Sequence, residues 1–305
     1  MNEVNERCLK QLRDCELRNR IAVIGSGLSM PASVDLNSLV KRISNRVHLT
    51  MEDTDNHWDF FEKAHDHDPE KYFATVHEAF TGMTHVTCRS YYHITAIPFQ
   101  GFVTFNYDDQ LPEALRQQAD WDSRQHFTVY PSKGFFSPIE MTLPPRKLIA
   151  VHGYKCASNP NWHRELILRL SDYNDHYILP GGQLNHWWKT LLLASRLVFI
   201  GTSLREPGLY QIIKQLIPLN RERLLAQDHL HVIGMPNSKV NSVESEEGFT
   251  HGVIRRVYYH PIDEDHSGLL RILAELSGVP IDSPEPRSEN PKPIRIGEPL
   301  QPFVS

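Results

Sequence analysis

Apolar runs of four or five residues recur along the 305-residue chain, separated by longer stretches in which apolar positions return every three or four residues. Arg20-Ile21-Ala22-Val23-Ile24, Gly101-Phe102-Val103-Thr104-Phe105, Phe127-Thr128-Val129-Tyr130, Lys147-Leu148-Ile149-Ala150-Val151, Arg196-Leu197-Val198-Phe199-Ile200 and His229-Leu230-His231-Val232-Ile233 read as strands, and Val253 to Tyr259 as a last one closing an edge. Short apolar runs alternating with helical patterns are the signature of a parallel sheet with helical crossovers. The pattern predicts an α/β fold, a parallel sheet flanked by helices.

The segments between the strands set the organisation. Leu9, Leu12 and Leu17 have the spacing of an amphipathic helix that leads into the first strand. Further helices are expected from Ser33 to about Arg46 and around Gln110 to Gln118. Between these two, about residues 47–100 read as a helical insertion module with Trp58, Phe60, Phe61, Tyr72 and Phe73 interleaved among charges. Residues 51–70 hold eight acids, Glu52, Asp53, Asp55, Asp59, Glu62, Asp66, Asp68 and Glu70, against Lys63. Such a run is a solvated helical face or, on a functional reading, a cation site or a docking surface for a basic partner. A second insertion, about 155–195, is punctuated by Asn159, Pro160, Gly181 and Gly182 and ends in a helix near Ser195. Residues 1–279 are thus expected to form one domain, followed over 280–305 by a proline-rich tail or partner-binding arm.

Composition narrows the class. The chain is 40% hydrophobic and 23% charged, with a formal net charge of −5. That balance is ordinary for a soluble enzyme and speaks against a nucleic-acid surface as its main business. No basic segment followed by an apolar run opens the chain and no stretch reaches membrane-spanning length, so a cytoplasmic protein is expected. Cys8, Cys15, Cys88 and Cys156 form no C-x-x-C pair and argue against a zinc ribbon or a disulfide framework. His85, Cys88 and His93 offer metal-ligand types on a helical segment where packing and surface roles are the alternative; no metal is expected.

Every polar motif falls at the carboxyl end of a strand, where open parallel sheets bind ligands. Gly25-Ser26-Gly27-Leu28-Ser29 follows the first strand and reads either as an ordinary tight turn or as a cradle in which two glycines let the main chain approach a pyrophosphate. Thr104-Phe105-Asn106-Tyr107-Asp108, His152-Gly153 and Gly201-Thr202-Ser203 follow three others. Each has a structural explanation, as cap, turn or buried polar group; together they supply an amide, a carboxylate, an imidazole and hydroxyls around a nucleotide-sized turn. That set suits cleavage at the ribose of a dinucleotide, where departure of the cationic nicotinamide leaves an oxocarbenium-like centre and needs no general acid.

The four motifs, in this order, resemble the sirtuin series Gly-Ala-Gly-x-Ser, Thr-Gln-Asn-x-Asp, His-Gly and Gly-Thr-Ser. They are most similar to the sirtuin-like NAD hydrolases of bacterial antiphage defence, a zinc-less branch, where Asn-Tyr-Asp, His-Gly and a Gly-x-Ser-Leu-x-(Asp/Glu)-Pro element recur. Here the last is Gly201-Thr202-Ser203-Leu204-Arg205-Glu206-Pro207, and Leu168 to Tyr173 is also similar to a stretch of that branch. The resemblance spans about residues 20–275 and implies a Rossmann-like sheet with NAD as substrate and no metal. It implies that Asn106 orients the nicotinamide ribose and the attacking water, and that His152 is the general base. Gly25, Ser26, Gly27 and Ser29 would hold the pyrophosphate; Gly201, Thr202 and Ser203 a phosphate and the adenosine ribose; Thr104 and Asp108 stand with the cofactor-binding set, Asp108 at the nicotinamide end. Two departures stand out. The paired cysteines beside the acyl-lysine cleft of deacylating sirtuins are missing, and Ser33-Val34-Asp35-Leu36-Asn37 replaces their Gly-Ile-Pro-Asp-Phe-Arg, leaving Asp35 one position out of register.

The expectation is an NAD⁺ hydrolase releasing nicotinamide and ADP-ribose as an NAD-depleting effector in abortive infection. Protein deacylation and a non-catalytic NAD- or ADP-ribose-binding subunit are the alternatives. The resemblance further implies a homo-oligomer, in some systems with a separately encoded partner such as a ring-forming motor ATPase or an Argonaute-like protein.

Overall fold

The computed structural model describes residues 2–28, 34–53, 55–81, 89–118, 121–131, 134–155, 159–179, 182–204, 206–234, 250, 252–262 and 266–282. The His85 and Cys88 candidates and the tail from 283 onward lie outside them.

Seven strands form one all-parallel sheet: β1 (Arg20–Ile24), β2 (Gly101–Thr104), β3 (Phe127–Val129), β4 (Lys147–Ala150), β5 (Arg196–Ile200), β6 (His229–Gly234) and β7 (Ile254–Tyr259). Their order is β3-β4-β2-β1-β5-β6-β7. The inner apolar runs became strands because they are covered on both faces, with all five residues of β1 buried, whereas the edge strand β7 alternates buried with more exposed positions. Side chains alternate between two cores. Ala22, Ile24, Phe102, Leu148 and Val198 join one cluster, while Ile21, Val23, Val103, Ile149 and Leu197 join the other.

On the first face lie α1 (Glu3–Arg13), α2 (Leu36–Val47), α3 (His57–His67), α4 (Pro69–Thr81), α5 (Arg89–Ala96), α6 (Gln110–Arg116) and the one-turn α7 (Ser123–His126). On the second are the one-turn α8 (Leu170–Tyr173), α9 (Gln183–Ala194) and α10 (Pro207–Gln227); α11 (Ser267–Ser277) returns to the first. The helices α3, α4 and α5 occupy the expected insertion, and Phe60, Phe61, Tyr72 and Val76 share one apolar cluster with Ile24 and Leu39. α2 starts at Leu36, later than the expected Ser33, because Asp35 caps it by accepting from the Ser38 amide at 2.9 Å. The acidic run proved largely a solvated face. Lys63 pairs with Asp55 at 2.7 Å, and the donors of Glu62, His65 and Asp66 lie close enough to meet one ion, but Arg169 Nη1 sits 3.1 Å from His65 Nε2 and places a positive charge there already. His93 is buried, its ring 3.3 Å from Ser277 Oγ between α5 and α11. No described helix is long and apolar enough to cross a membrane.

Register positions the site. Ile24 pairs with Thr104 on one side and Ile200 on the other, and Thr104 with Ala150. Four strands therefore end level, and the chain runs from β1 through β2, β3 and β4 on one side before crossing to β5 on the other. This is the switch point at which parallel sheets open a crevice.

Candidate active site

The residues that follow those four ends line one cavity of about 370 Å³, a volume suited to a small-molecule ligand. Gly25, Ser26 and Gly27 come from β1, Phe105, Asn106 and Tyr107 from β2, His152 from β4, and Gly201, Thr202 and Ser203 from β5. Eight of the predicted site residues are thus brought together. Thr104 and Asp108 support the wall from behind: Thr104 Oγ1 accepts from the backbone N–H of Asn106 at 3.0 Å, and Asp108 Oδ1 accepts from the backbone N–H of Gln110 at 3.1 Å at the start of α6. Ser29 lies outside the described residues.

The glycines have a use the sequence did not disclose. Gly25 N donates to Ile200 O at 3.0 Å and Gly27 N to Gly201 O at 2.8 Å, so the two turns interlock backbone to backbone. A Cβ on Gly25 would lie 2.5 Å from Gly201 O. Gly201 has φ +67° and a Cβ there would meet Leu28 N at 2.5 Å, so no other residue fits without displacing the turn. His231 Nε2, from β6, holds the same turn through Thr202 O at 2.6 Å.

Asn106 is buried, and its Nδ2 donates to Tyr91 Oη at 2.6 Å and to Gly25 O at 3.3 Å. That pair of bonds fixes the amide's orientation and ties the insertion helix α5 to the cavity floor.

His152 is 2% exposed and lies within a cage of rings, with the centroids of Phe105, Tyr107, Tyr173 and Tyr177 between 5.1 and 6.2 Å away. Its Nε2 is 2.8 Å from Tyr177 Oη and 3.5 Å from Glu206 Oε1. The turn that presents it is closed by Gly153 at φ +84°. Tyr173 and Tyr177 straddle the passage from α8 into a single π-helical turn, Asn174–Ile178, which stacks their rings 5.7 Å apart; such turns are frequent at functional sites. Tyr177 in turn leans on α10 at Gly208, where a Cβ would collide with its ring.

Glu206 was not among the residues picked from the sequence. It caps α10 ahead of Pro207, accepting from Leu209 N at 2.6 Å and Gly208 N at 3.2 Å, and lines the cavity with its side chain 11% exposed. The signal that could have found it is an acid directly before a proline opening a helix at a strand-end motif. Burial pushes Glu206 up to about 7, outweighing the two amides and the Tyr173 hydroxyl that favour its charged form. Burial, reinforced by His176, holds His152 down to about 3, a neutral imidazole. Tyr107, Tyr173 and Tyr177 are all held above the ordinary phenol range by burial and stay neutral hydroxyls. The site thus offers an oriented amide, a neutral imidazole beside a proton-exchanging carboxyl, several hydroxyls and aromatic faces. This donor set fits a dinucleotide and the ribose chemistry that the motifs suggested.

Residues 100–251 match the family model described as SIR2-like domain. No curated protein matches the chain. The matched span carries β2 to β6 and, with them, Asn106, His152, the Gly201 turn and Glu206; Gly25 to Gly27 meet it through β1. SIR2-like family members are NAD-dependent enzymes, and the match supports an NAD-related activity in general. The match, together with the seven-stranded parallel sheet and the strand-end cluster, supports membership of the sirtuin-like superfamily.

Proposed function

We propose that this chain is an NAD⁺ hydrolase that breaks the nicotinamide–ribose bond, releasing nicotinamide and ADP-ribose, and that it acts as an NAD-depleting effector in bacterial antiphage defence. The observation that carries the reading is the meeting of Asn106 and His152 with the Gly25 and Gly201 turns around one cavity in a chain with a SIR2-like domain. Asn106 orients the nicotinamide ribose and the water, its amide already held by Tyr91 and Gly25. The C–N bond breaks with its electron pair leaving on nicotinamide, water adds to the ribose carbon, and His152 takes the proton that the water loses. Ser26, Thr202 and Ser203 hold the phosphates and adenosine ribose, while Gly25, Gly27 and Gly201 shape the cradle. Asp108 acts on the nicotinamide end through the helix start that it bonds.

Water is preferred to an acyl-lysine for two reasons. The sequence has no cysteine pairs to build the module that borders a peptide cleft. In addition, Trp58 of α3 reaches edge-on to Tyr173, 5.8 Å between centroids, walling the cavity with an aromatic pair. The effector works without a bound metal, as a homo-oligomer in the cytoplasm, with control by assembly or by a separately encoded partner such as a motor ATPase or Argonaute-like protein.

The test is nicotinamide and ADP-ribose release from NAD⁺ by the purified chain beside His152→Ala and Asn106→Ala, with an acyl-lysine peptide in a parallel reaction. Release by the wild type alone, indifferent to the peptide, is expected. Release by His152→Ala at the wild-type rate overturns the assigned base, and turnover that requires the peptide makes the chain a deacylase. Ligand binding without turnover, alone or assembled, makes it a binding subunit.

A further inference from the structure

Glu206 is the sole carboxylate among the described residues lining the cavity, and its Oε1 lies 3.5 Å from His152 Nε2. Both side chains are nearly closed off from solvent, at 2% and 11% exposure. Four aromatic rings around the imidazole leave an imidazolium formed there with little else to stabilise it, and an isolated charge in such a place is costly. Glu206 is rigidly aimed, because the Leu209 and Gly208 amides hold its two oxygens at the head of α10.

We propose that Glu206 is the counter-carboxylate of His152, a positioning residue that shares one proton with the imidazole and pairs the imidazolium produced when His152 accepts a proton. The catalytic consequence rests on the NAD-hydrolase reading; the shared titration does not. The separation is longer than a formed N–H···O bond, and catalytic contacts of this kind tighten when substrate closes the site. The other groups facing the pair are phenols and one imidazole. Tyr173 bonds Glu206, Tyr177 Oη touches His152 Nε2, Tyr107 stacks along the imidazole, and His176 acts against its positive charge. With the phenols neutral, Glu206 is the one group of this set able to compensate an imidazolium. Burial brings its proton exchange to about 7 and so makes it available under neutral conditions.

The experiment follows the ring signals of His152 by NMR in the full-length, isotope-labelled chain, assigned by their loss in His152→Gln, for wild type and Glu206→Gln. Gln keeps an oxygen acceptor for the α10 cap, and a thermal melt checks that the variant is folded. In the wild type the His152 ring is expected to sense a titration near pH 7. In Glu206→Gln that titration is expected to vanish, the ring staying neutral down to about pH 5. Identical behaviour in the two proteins, or a wild-type ring that senses nothing near neutrality, overturns the pairing. In parallel, kcat/KM for NAD⁺ is expected to fall below about pH 7 in the wild type, to drop on the order of 10²-fold in Glu206→Gln with that limb removed, and to recover in part in Glu206→Asp. A wild type that releases no nicotinamide, alone or assembled, sinks the hydrolase reading and leaves the ring titration to judge the pair. Turnover by wild type with an unchanged His152 titration in Glu206→Gln sinks the pair alone.

Discussion

The two ends of the sheet each carry a polar cluster, and they treat charge in opposite ways. At the amino-terminal end Arg20 is 2% exposed, yet its Nε donates to Cys15 O at 2.8 Å and its Nη2 meets Asp228 Oδ2 at 2.6 Å. Arg255 Nε reaches the same carboxylate at 3.0 Å. Burial alone would raise the Asp228 carboxyl, but hydrogen bonds from Arg255 and Arg20 outweigh it and hold the group below the usual carboxylate range. At the carboxyl end Glu206 has amides and a phenol against it and, among the described residues, no guanidinium or ammonium; there burial wins. Two acids of one sheet shift in opposite directions. A paired charge builds the fold, and a desolvated group without a full partner remains able to exchange its proton, which is what chemistry requires.

The largest effect that would break this division is at His152. His152→Ala is expected to lower nicotinamide release by about 10²–10⁴-fold with the thermal melt retained; an active variant would show that the carboxyl end is only another structural cluster. Arg20→Met should do the reverse. It strands the Cys15 and Asp228 acceptors and is expected to cost about 3 kcal/mol in urea unfolding, with turnover per folded molecule unchanged at a permissive temperature.

Smaller effects sharpen the contrast through pH. The folded pKa of Glu206 is raised, so its contribution to stability is present below the unfolded value and lost as pH rises through about 7. Glu206→Gln is therefore expected to be more stable than wild type at pH 8 by about 1–3 kcal/mol and equal to it near pH 4, read from unfolding curves at the two pH values. Asp228 works in the other direction. Its folded pKa is depressed, so its contribution is present above the unfolded value and lost as pH falls through the folded one; Asp228→Asn should make the acid limb of the stability profile shallower. Arg255→Ala, at a half-exposed position, should cost no more than about 1 kcal/mol by the same unfolding assay, since Arg20 remains on the carboxylate.

The strands and the strand-end motifs were legible in the sequence, for a physical reason. Strands buried on both faces announce themselves as apolar runs and the edge strand β7 as a partly alternating one, so all seven fell where expected, and the polar residues that follow the central runs had to gather on one edge. What was not legible depends on contacts between distant segments. Glu206 stood in view inside a quoted motif, but its raised pKa comes from burial at a site that Tyr173 helps to line from the second insertion, where the sequence showed only punctuation. The Gly25 turn suggested a close approach to a ligand; its interlock with Gly201 O, from a strand end far away in the sequence, appears only in the fold. Asp108 lay within the Asn-x-Asp motif, and only the fold shows that it bonds the start of α6. The paired cluster at the other end was invisible because Arg20, Asp228 and Arg255 meet only when β1, β6 and β7 are aligned.

The central place of β1 has a consequence for the order of events on the ribosome. Its partners on one side begin at Gly101 and on the other at Arg196, so the Gly25 amide finds its acceptor only after Ile200 has been made. Contacts so far apart in sequence form late. A nascent chain that has already emitted Asn106 and His152 still lacks the Gly201 wall and Glu206, and fragments ending before Ile200 carry the first two residues without a complete cavity around them. The topology thus ties the assembly of the site to the synthesis of about two thirds of the chain.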